Sequence, residues 1–156
     1  MLKIYLLWPG KTKERWLQDG LDFYLKKLRN YYQVKLLPTK AAKGPMKRKK
    51  ELMDREAQFL NRALPKNSYK IALDLNGRNL SSREFASFLK EREELGDRDI
   101  AFVIGGAFGL AKRLLDECNF SLCLSRMTFT HEMSRLILLE QLYRAATINT
   151  GSPYHH

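Results

Sequence analysis

The amino-acid sequence predicts an α/β fold, a mostly parallel sheet with helices on both faces. Two observations carry that expectation. Short apolar runs of strand character alternate along the chain with longer stretches of helical periodicity, the rhythm of β–α–β units. One of those runs, residues 100–104 (Ile-Ala-Phe-Val-Ile), is apolar without interruption, as expected of a strand covered on both sides. The chain has 156 residues, of which 44% are hydrophobic, with no internal repeat and no linker. A single domain spanning residues 1–156 around one core is therefore expected.

Residues 2–8 begin with a strand-like alternation, and Pro9, which has no N–H to donate, ends it. A helix is predicted over 14–30, where Trp16, Leu17, Leu21, Tyr24, Leu25 and Leu28 recur at helical spacing. Residues 32–37 read as the second strand. The basic stretch 40–50, broken by Gly44-Pro45, reads as a loop feeding a helix that ends near Leu64-Pro65. Residues 69–75 form a third strand, closed by the turn pair Asn76-Gly77. Ser81 and Glu84 make a capping-box pattern that starts a helix running to about Gly96. After the strand at 100–104, Gly105-Gly106-Ala107-Phe108-Gly109 breaks the pattern. A short helix (110–117), a fifth strand (120–124), a loop (125–130), a long helix (132–148) and the tail 151–156 complete the chain.

Lys and Arg total 28 against 17 Asp and Glu, a formal net charge of +11. That excess favours a polyanionic partner, because each neutralised phosphate releases counterions; a merely basic surface is the alternative that composition leaves open. No apolar run approaches the ~20 residues of a membrane-spanning helix, and no basic amphipathic helix stands out as an anchor. The first residues lack the basic and apolar regions of a signal peptide, so a cytoplasmic protein is expected. Cys118 and Cys123 have no companion ligands for zinc and read as small core residues; no metal is expected.

Open α/β sheets bind ligands beyond the carboxyl ends of their strands, and residues 73–77, 105–109 and 124–129 all fall there. The glycines after Ile104 let a ligand approach the backbone closely. Their spacing matches neither a dinucleotide fingerprint nor a P-loop, and a tight turn into a helix would use the same residues. His131-Glu-Met-Ser-Arg135 opens the last helix; it is not a zinc motif, because Arg135 stands where the second histidine would be. His131 reads either as a site residue or as a cap or surface residue. Arg135 lies one turn further along the same helix face. The last helix carries apolar residues nearly all round, which in so short a chain suggests a partner subunit; a central core helix is the alternative.

Taken in order, these motifs resemble one family. Phe102-Val-Ile-Gly-Gly-Ala-Phe-Gly-Leu110 is similar to the Ile-Gly-Gly-x-x-Gly-Leu signature of the RlmH family of SPOUT methyltransferases. So are Leu124-Ser-Arg-Met-Thr-Phe-Thr-His131, Arg135-Leu-Ile-Leu-Leu-Glu-Gln-Leu-Tyr-Arg-Ala145 and the closing Pro153-Tyr154-His155. The resemblance covers essentially the whole chain. It implies a SPOUT fold with a C-terminal trefoil knot, an exception to the rule against knotted chains. It further implies a homodimer that uses S-adenosyl-L-methionine to methylate N3 of a pseudouridine in helix 69 of 23S ribosomal RNA, with the assembled ribosome as partner. The cofactor contacts it implies are Leu73, Gly105, Leu124, Ser125, Arg126, Met127, Thr128 and Phe129. The sequence departs from the family pattern at three places. Thr130 stands where proline is frequent, Glu132 where the residue is usually uncharged, and Trp8-Pro9 where a small apolar pair is usual.

The chemistry that the resemblance implies sets what the protein must supply. A pseudouridine N3–H is about as acidic as a phenol, with a pKa of about 10. Its anion is then about one part in a thousand at neutral pH, which adds roughly 4 kcal/mol to the barrier. His131 suits the role of general base by residue type, and Arg135 that of a cation at the neighbouring carbonyl oxygen or a phosphate. Tyr154 and His155 suit contact with the target base, although a frayed tail would read the same way. The competing class is a basic ribosomal RNA-binding module without catalytic activity.

Overall fold

The structure, a computed structural model, describes residues 1–154; His155 lies outside the described residues. Among those residues are five strands: β1 (Lys3–Pro9), β2 (Gln33–Thr39), β3 (Tyr69–Asn79), β4 (Asp99–Val103) and β5 (Phe120–Cys123). They form one sheet in the order β2-β1-β4-β3-β5, and every pairing is parallel. The helices are α1 (Arg15–Leu28), α2 (Lys49–Ala63), α3 (Ser82–Glu94), α4 (Lys112–Glu117) and α5 (His131–Thr150). A short 3-10 turn, Met46–Arg48, leads into α2.

The strand order decides which helix covers which face. The steps β1 to β2 and β3 to β4 run one way along the sheet, whereas β2 to β3 and β4 to β5 run the other way. With crossovers of constant right hand, α1 and α3 belong on one face and α2 and α4 on the opposite one. The core divides accordingly. Ile4, Leu6, Ile100 and Phe102 pack with Leu21, Leu25, Phe85 and Leu89 of α1 and α3. Leu7, Ala101 and Val103, the alternate residues of the same strands, pack with Ala57 and Leu60 of α2 and Leu114 of α4.

The last helix returns to the first face and lies between α1 and α3. Leu138, Leu139, Leu142, Ala145 and Ala146 are buried in the core on that side. Gly20 of α1 has so little room that a Cβ there would sit 3.0 Å from Leu136. On the α3 side, Ser82 donates to Gln141 at 2.7 Å and Asn149 donates to the Ala86 carbonyl at 3.0 Å. Much of the all-round apolarity of α5 is thus used within the chain, as in a central core helix. Gly151 adopts φ 74° and ends the helix, with the Ser152 N–H returning to the Thr147 carbonyl at 2.8 Å.

One expected turn is absent. Asn76-Gly77 does not close the third strand. β3 continues to Asn79 with an irregularity, so that Leu122 of β5 is partnered by both Leu73 and Arg78. Gly77 has no positive φ. Glycine is needed there for proximity instead, since a Cβ would come within 2.6 Å of the Ser121 backbone. The displaced residues 74–77 push Asp74 and Leu75 towards the carboxyl end of the sheet, where the candidate site lies.

Candidate active site

A cleft of about 840 Å³ opens beyond the carboxyl ends of β3, β4 and β5. Its floor is Leu73, Ile104 and Leu122, and one wall is the glycine turn, residues 105–109. That turn is tight. The Gly109 N–H donates to the Gly106 carbonyl at 3.0 Å, and Gly109 has φ 86°. A Cβ on Gly105 would lie 2.5 Å from the Gly109 carbonyl carbon, so no side chain fits at that position. The opposite wall comes from the segment after β5 and the first turn of α5. Its shape is set locally by the Met127 N–H donating to Ser125 Oγ at 3.0 Å and by Thr130, which caps α5 by accepting the Met133 N–H at 3.2 Å. The end of the β1–α1 loop and the first turn of α1 complete the rim with Glu14, Trp16 and Leu17.

Most of the residues expected from sequence converge here. Leu73, Gly105, Leu124, Ser125, Met127, Thr128, Phe129 and His131 all line the cleft. Three others lie elsewhere. Arg126 is exposed and is not among the lining residues. Arg135 is only 1% exposed and is turned into the protein, donating to the Thr12 hydroxyl at 2.9 Å and the Pro9 carbonyl at 2.8 Å. Burial pushes its pKa down to about 10, so it remains a cation at neutral pH, but one committed to the β1–α1 loop. Tyr154 packs edge-on against Tyr143, with 4.7 Å between ring centroids, and its hydroxyl reaches Glu140 at 3.4 Å. Helical spacing alone predicts Arg135 beside His131 as a site cation. The side of α5 that Arg135 occupies faces the end of β1, so the guanidinium meets the loop instead of the cleft.

Sequence reasoning also missed residues that the fold brings in. The ionisable lining consists of Glu14, Asp74, His131 and Glu132; no Lys or Arg lines the cleft among the described residues. An acidic cleft in a chain of net charge +11 is a strong local inversion. Asp74 had a signal in its place at a strand end, whereas Glu14 had none. Glu132 accepts the Lys13 N–H at 2.7 Å, docking the β1–α1 loop on the first turn of α5, and its other oxygen is 3.9 Å from His131 Nε2. Burial and the Arg135 guanidinium hold the His131 imidazole below its ordinary range, with Glu132 opposing them and Lys13 adding to them. The imidazole is therefore neutral at neutral pH and free to accept a proton.

A family model described as "Predicted SPOUT methyltransferase" matches residues 2–155. The chain belongs to the SPOUT methyltransferase family. Its similarity to curated relatives is also end to end. It is 41% identical over 155 residues to the ribosomal RNA large subunit methyltransferase H of Geotalea uraniireducens, covering 99% of this chain and 100% of that one. It is 44% identical over 161 residues to the protein of the same name from Symbiobacterium thermophilum, and 37% identical over 158 residues to that of Clostridium acetobutylicum; 99% of each chain is covered in both cases. These likenesses place it in the RlmH family. Among solved structures, the fold is similar to that of a probable methylase family protein from Haemophilus influenzae Rd KW20. The TM-score is 0.53 and the identity 14%, over 99% of this chain and 70% of that one.

As a SPOUT methyltransferase, the chain needs a place for a methyl donor, and the cleft has the properties of one. Its volume falls in the usual range for small-molecule sites, about 300–1,000 Å³. The glycine turn leaves backbone exposed to a ligand, and the carboxylates suit a cationic one. Among the described residues, no group of three His, Cys, Asp or Glu side chains is placed to hold a metal ion.

Proposed function

We propose that this protein is an S-adenosyl-L-methionine-dependent methyltransferase of large-subunit ribosomal RNA, acting on N3 of a pseudouridine in helix 69 as a cytoplasmic homodimer. The observation that carries this reading is the cleft itself: a glycine-walled cavity at the carboxyl end of a parallel sheet, acidic within a strongly basic chain. The naming of its full-length relatives as ribosomal RNA large subunit methyltransferase H supports the substrate. Membership of the SPOUT family carries the expectation of a C-terminal knot.

When bound, S-adenosylmethionine supplies a methyl group activated on a sulfonium centre. Leu73, the glycine turn and the segment Leu124, Ser125, Met127, Thr128 and Phe129 would hold it, with Asp74 and Glu14 favouring its positive charge. The protein's remaining task is to place and deprotonate the nucleophile. His131, neutral and at the cleft rim, accepts the N3 proton. Arg135 acts indirectly, by fixing the loop that carries Glu14 and leads into α1 just before Trp16. Phosphates are gripped elsewhere, by the basic segment around Lys47, Arg48, Lys49 and Lys50.

The homodimer would complete the site. Four large apolar side chains that line the cleft also stand exposed: Trp16, Leu75, Met127 and Phe129. Phe23, two turns along α1 from Trp16 on the same face, is exposed as well. A second copy of the chain would cover such a rim and could bring its own C-terminal Tyr154 and His155 to the target base.

Calorimetry with S-adenosylmethionine and S-adenosylhomocysteine tests the reading directly. Both should bind, and Asp74→Asn should weaken the cationic donor more than the neutral product. No heat with either would leave a basic RNA-binding module as the surviving reading. Mass mapping of ribosomal RNA from a strain lacking the protein identifies the nucleotide.

A further inference from the structure

Behind the glycine turn, in the opposite helix layer from His131, sits a carboxylate that the reaction above does not use. Glu56 of α2 is only 6% exposed. Its Oε2 accepts the backbone N–H of Ala42 at 3.1 Å, in the basic loop between β2 and α2. Its Oε1 is buried and has no hydrogen-bond partner among the described residues. Both oxygens abut the glycine turn: a Cβ on Gly106 would lie 2.9 Å from Oε1 and 3.2 Å from Oε2. One carboxyl group is thus wedged between the wall of the cleft and the loop that carries Lys40 and Lys43.

The arrangement costs stability, since a buried unsatisfied acceptor is worth about 1–3 kcal/mol and more when charged. Burial accordingly pushes the Glu56 carboxyl above its ordinary range, and only the Ala42 N–H opposes that shift. An apolar residue at this position of α2 would avoid the cost but would leave the Ala42 N–H without its acceptor.

We propose that Glu56 is a positioning residue that ties the glycine turn to the basic loop, so that filling the cleft changes the grip on RNA and RNA changes the affinity for the cofactor. This inference rests on the reading of the cleft as the methyl-donor site. The coupling is mechanical. A ligand seated against Gly105 and Gly106 fixes the backbone that Oε1 abuts, and the carboxyl group passes that restraint to Ala42 through Oε2. The spare lone pairs of Oε1 face the turn and can take an N–H from it when it tightens. Linkage requires the effect to be reciprocal.

The test measures S-adenosylhomocysteine affinity with and without a saturating ribosomal RNA hairpin, and hairpin affinity with and without S-adenosylhomocysteine. In the wild-type protein each ligand should shift the other by the same factor, about fivefold or more. Glu56→Ala should reduce the shift to less than about twofold, while either ligand alone still binds. Glu56→Gln, which keeps an acceptor for the Ala42 N–H, should restore part of it. Amide exchange at Ala42 should speed up in Glu56→Ala, which removes the acceptor of its N–H, and stay closer to wild type in Glu56→Gln. Wild-type protein that binds both ligands with no mutual shift overturns the proposal, as does Glu56→Ala with the shift intact. Wild-type protein that takes no S-adenosylhomocysteine overturns the reading of the cleft, and this inference with it.

Discussion

The guanidinium of Arg135 lies over the indole of Trp8, with 5.0 Å from its Cζ to the ring centroid. The same group donates to the carbonyl of the next residue, Pro9, at 2.8 Å. Trp8 and Pro9 thus close the β1–α1 loop with an aromatic plate on a buried cation. The contact fastens the start of α5 to the end of β1, and Glu132 adds a second fastening through the Lys13 N–H.

Arg135→Ala should therefore weaken the fold as well as the reaction. It leaves the Pro9 carbonyl and the Thr12 hydroxyl without their donor and removes the stack on Trp8. A loss on the order of 2–4 kcal/mol is expected in chemical denaturation. Arg135→Lys should recover less than half, because an ammonium cannot reproduce the planar fork. An unchanged denaturation midpoint for Arg135→Ala would return Arg135 to the role of a site cation.

Gly105→Ala tests the turn. The new methyl would meet Gly109 backbone at 2.5 Å, and backbone cannot move aside as a flexible side chain can. Overpacking of this kind costs about 1–3 kcal/mol, and affinity for S-adenosylhomocysteine should fall by more than about tenfold. Full affinity in a folded variant would remove the glycine turn from the binding site.

For His131 the expectation concerns pH. The imidazole is held below its usual value of 6.5, so its proton-accepting form persists to lower pH than in a free histidine. The acid limb of the single-turnover rate should accordingly lie below pH 6.5. Glu132→Gln removes the carboxylate that raises the pKa and should move the limb lower still. His131→Ala should cost about two to four powers of ten in rate, with a loss that shrinks as the N3–H begins to ionise unaided. A loss independent of pH would mean that His131 only positions the base.

The basic segment should act on RNA alone. Changing Lys47, Arg48, Lys49 and Lys50 to Gln should flatten the salt dependence of RNA binding, by about 0.7–0.9 in log–log slope for each phosphate no longer neutralised. Arg48 is already forked onto Glu51, at 3.0 and 2.9 Å, so its single substitution should change the slope least of the four. Affinity for S-adenosylhomocysteine should not change. An unaltered slope would make this segment an ordinary solvated helix start.

Sedimentation at micromolar concentration should show twice the mass of the 18.2 kDa chain. Trp16→Glu, which places a charge on the exposed apolar rim, should shift the equilibrium towards monomer and reduce activity with it. An active monomer would refute the dimer.

The local signals in the sequence were sufficient for the element order and for the outline of the site. The Ser81–Glu84 capping box needs only four residues, and both of its bonds form, at 2.8 and 3.1 Å. The glycine turn and the segment after β5 sit at strand ends, and parallel strands carry such ends to one edge of the sheet. Other features were decided only in three dimensions. Asn76-Gly77 has the composition of a turn, but its glycine serves close approach to Ser121, and the same residue type answers to either cause. Helical spacing put His131 and Arg135 on one face of α5 without saying what that face would meet; the end of β1 lies against Arg135 and takes it into the interior. Glu14 and Asp74, far apart in the chain, share a cleft because the crossover order brings α1 and β3 to the same edge. Periodicity is a property of neighbouring residues, whereas the charge of a cleft and the partner of a buried guanidinium depend on which distant segments the sheet places side by side.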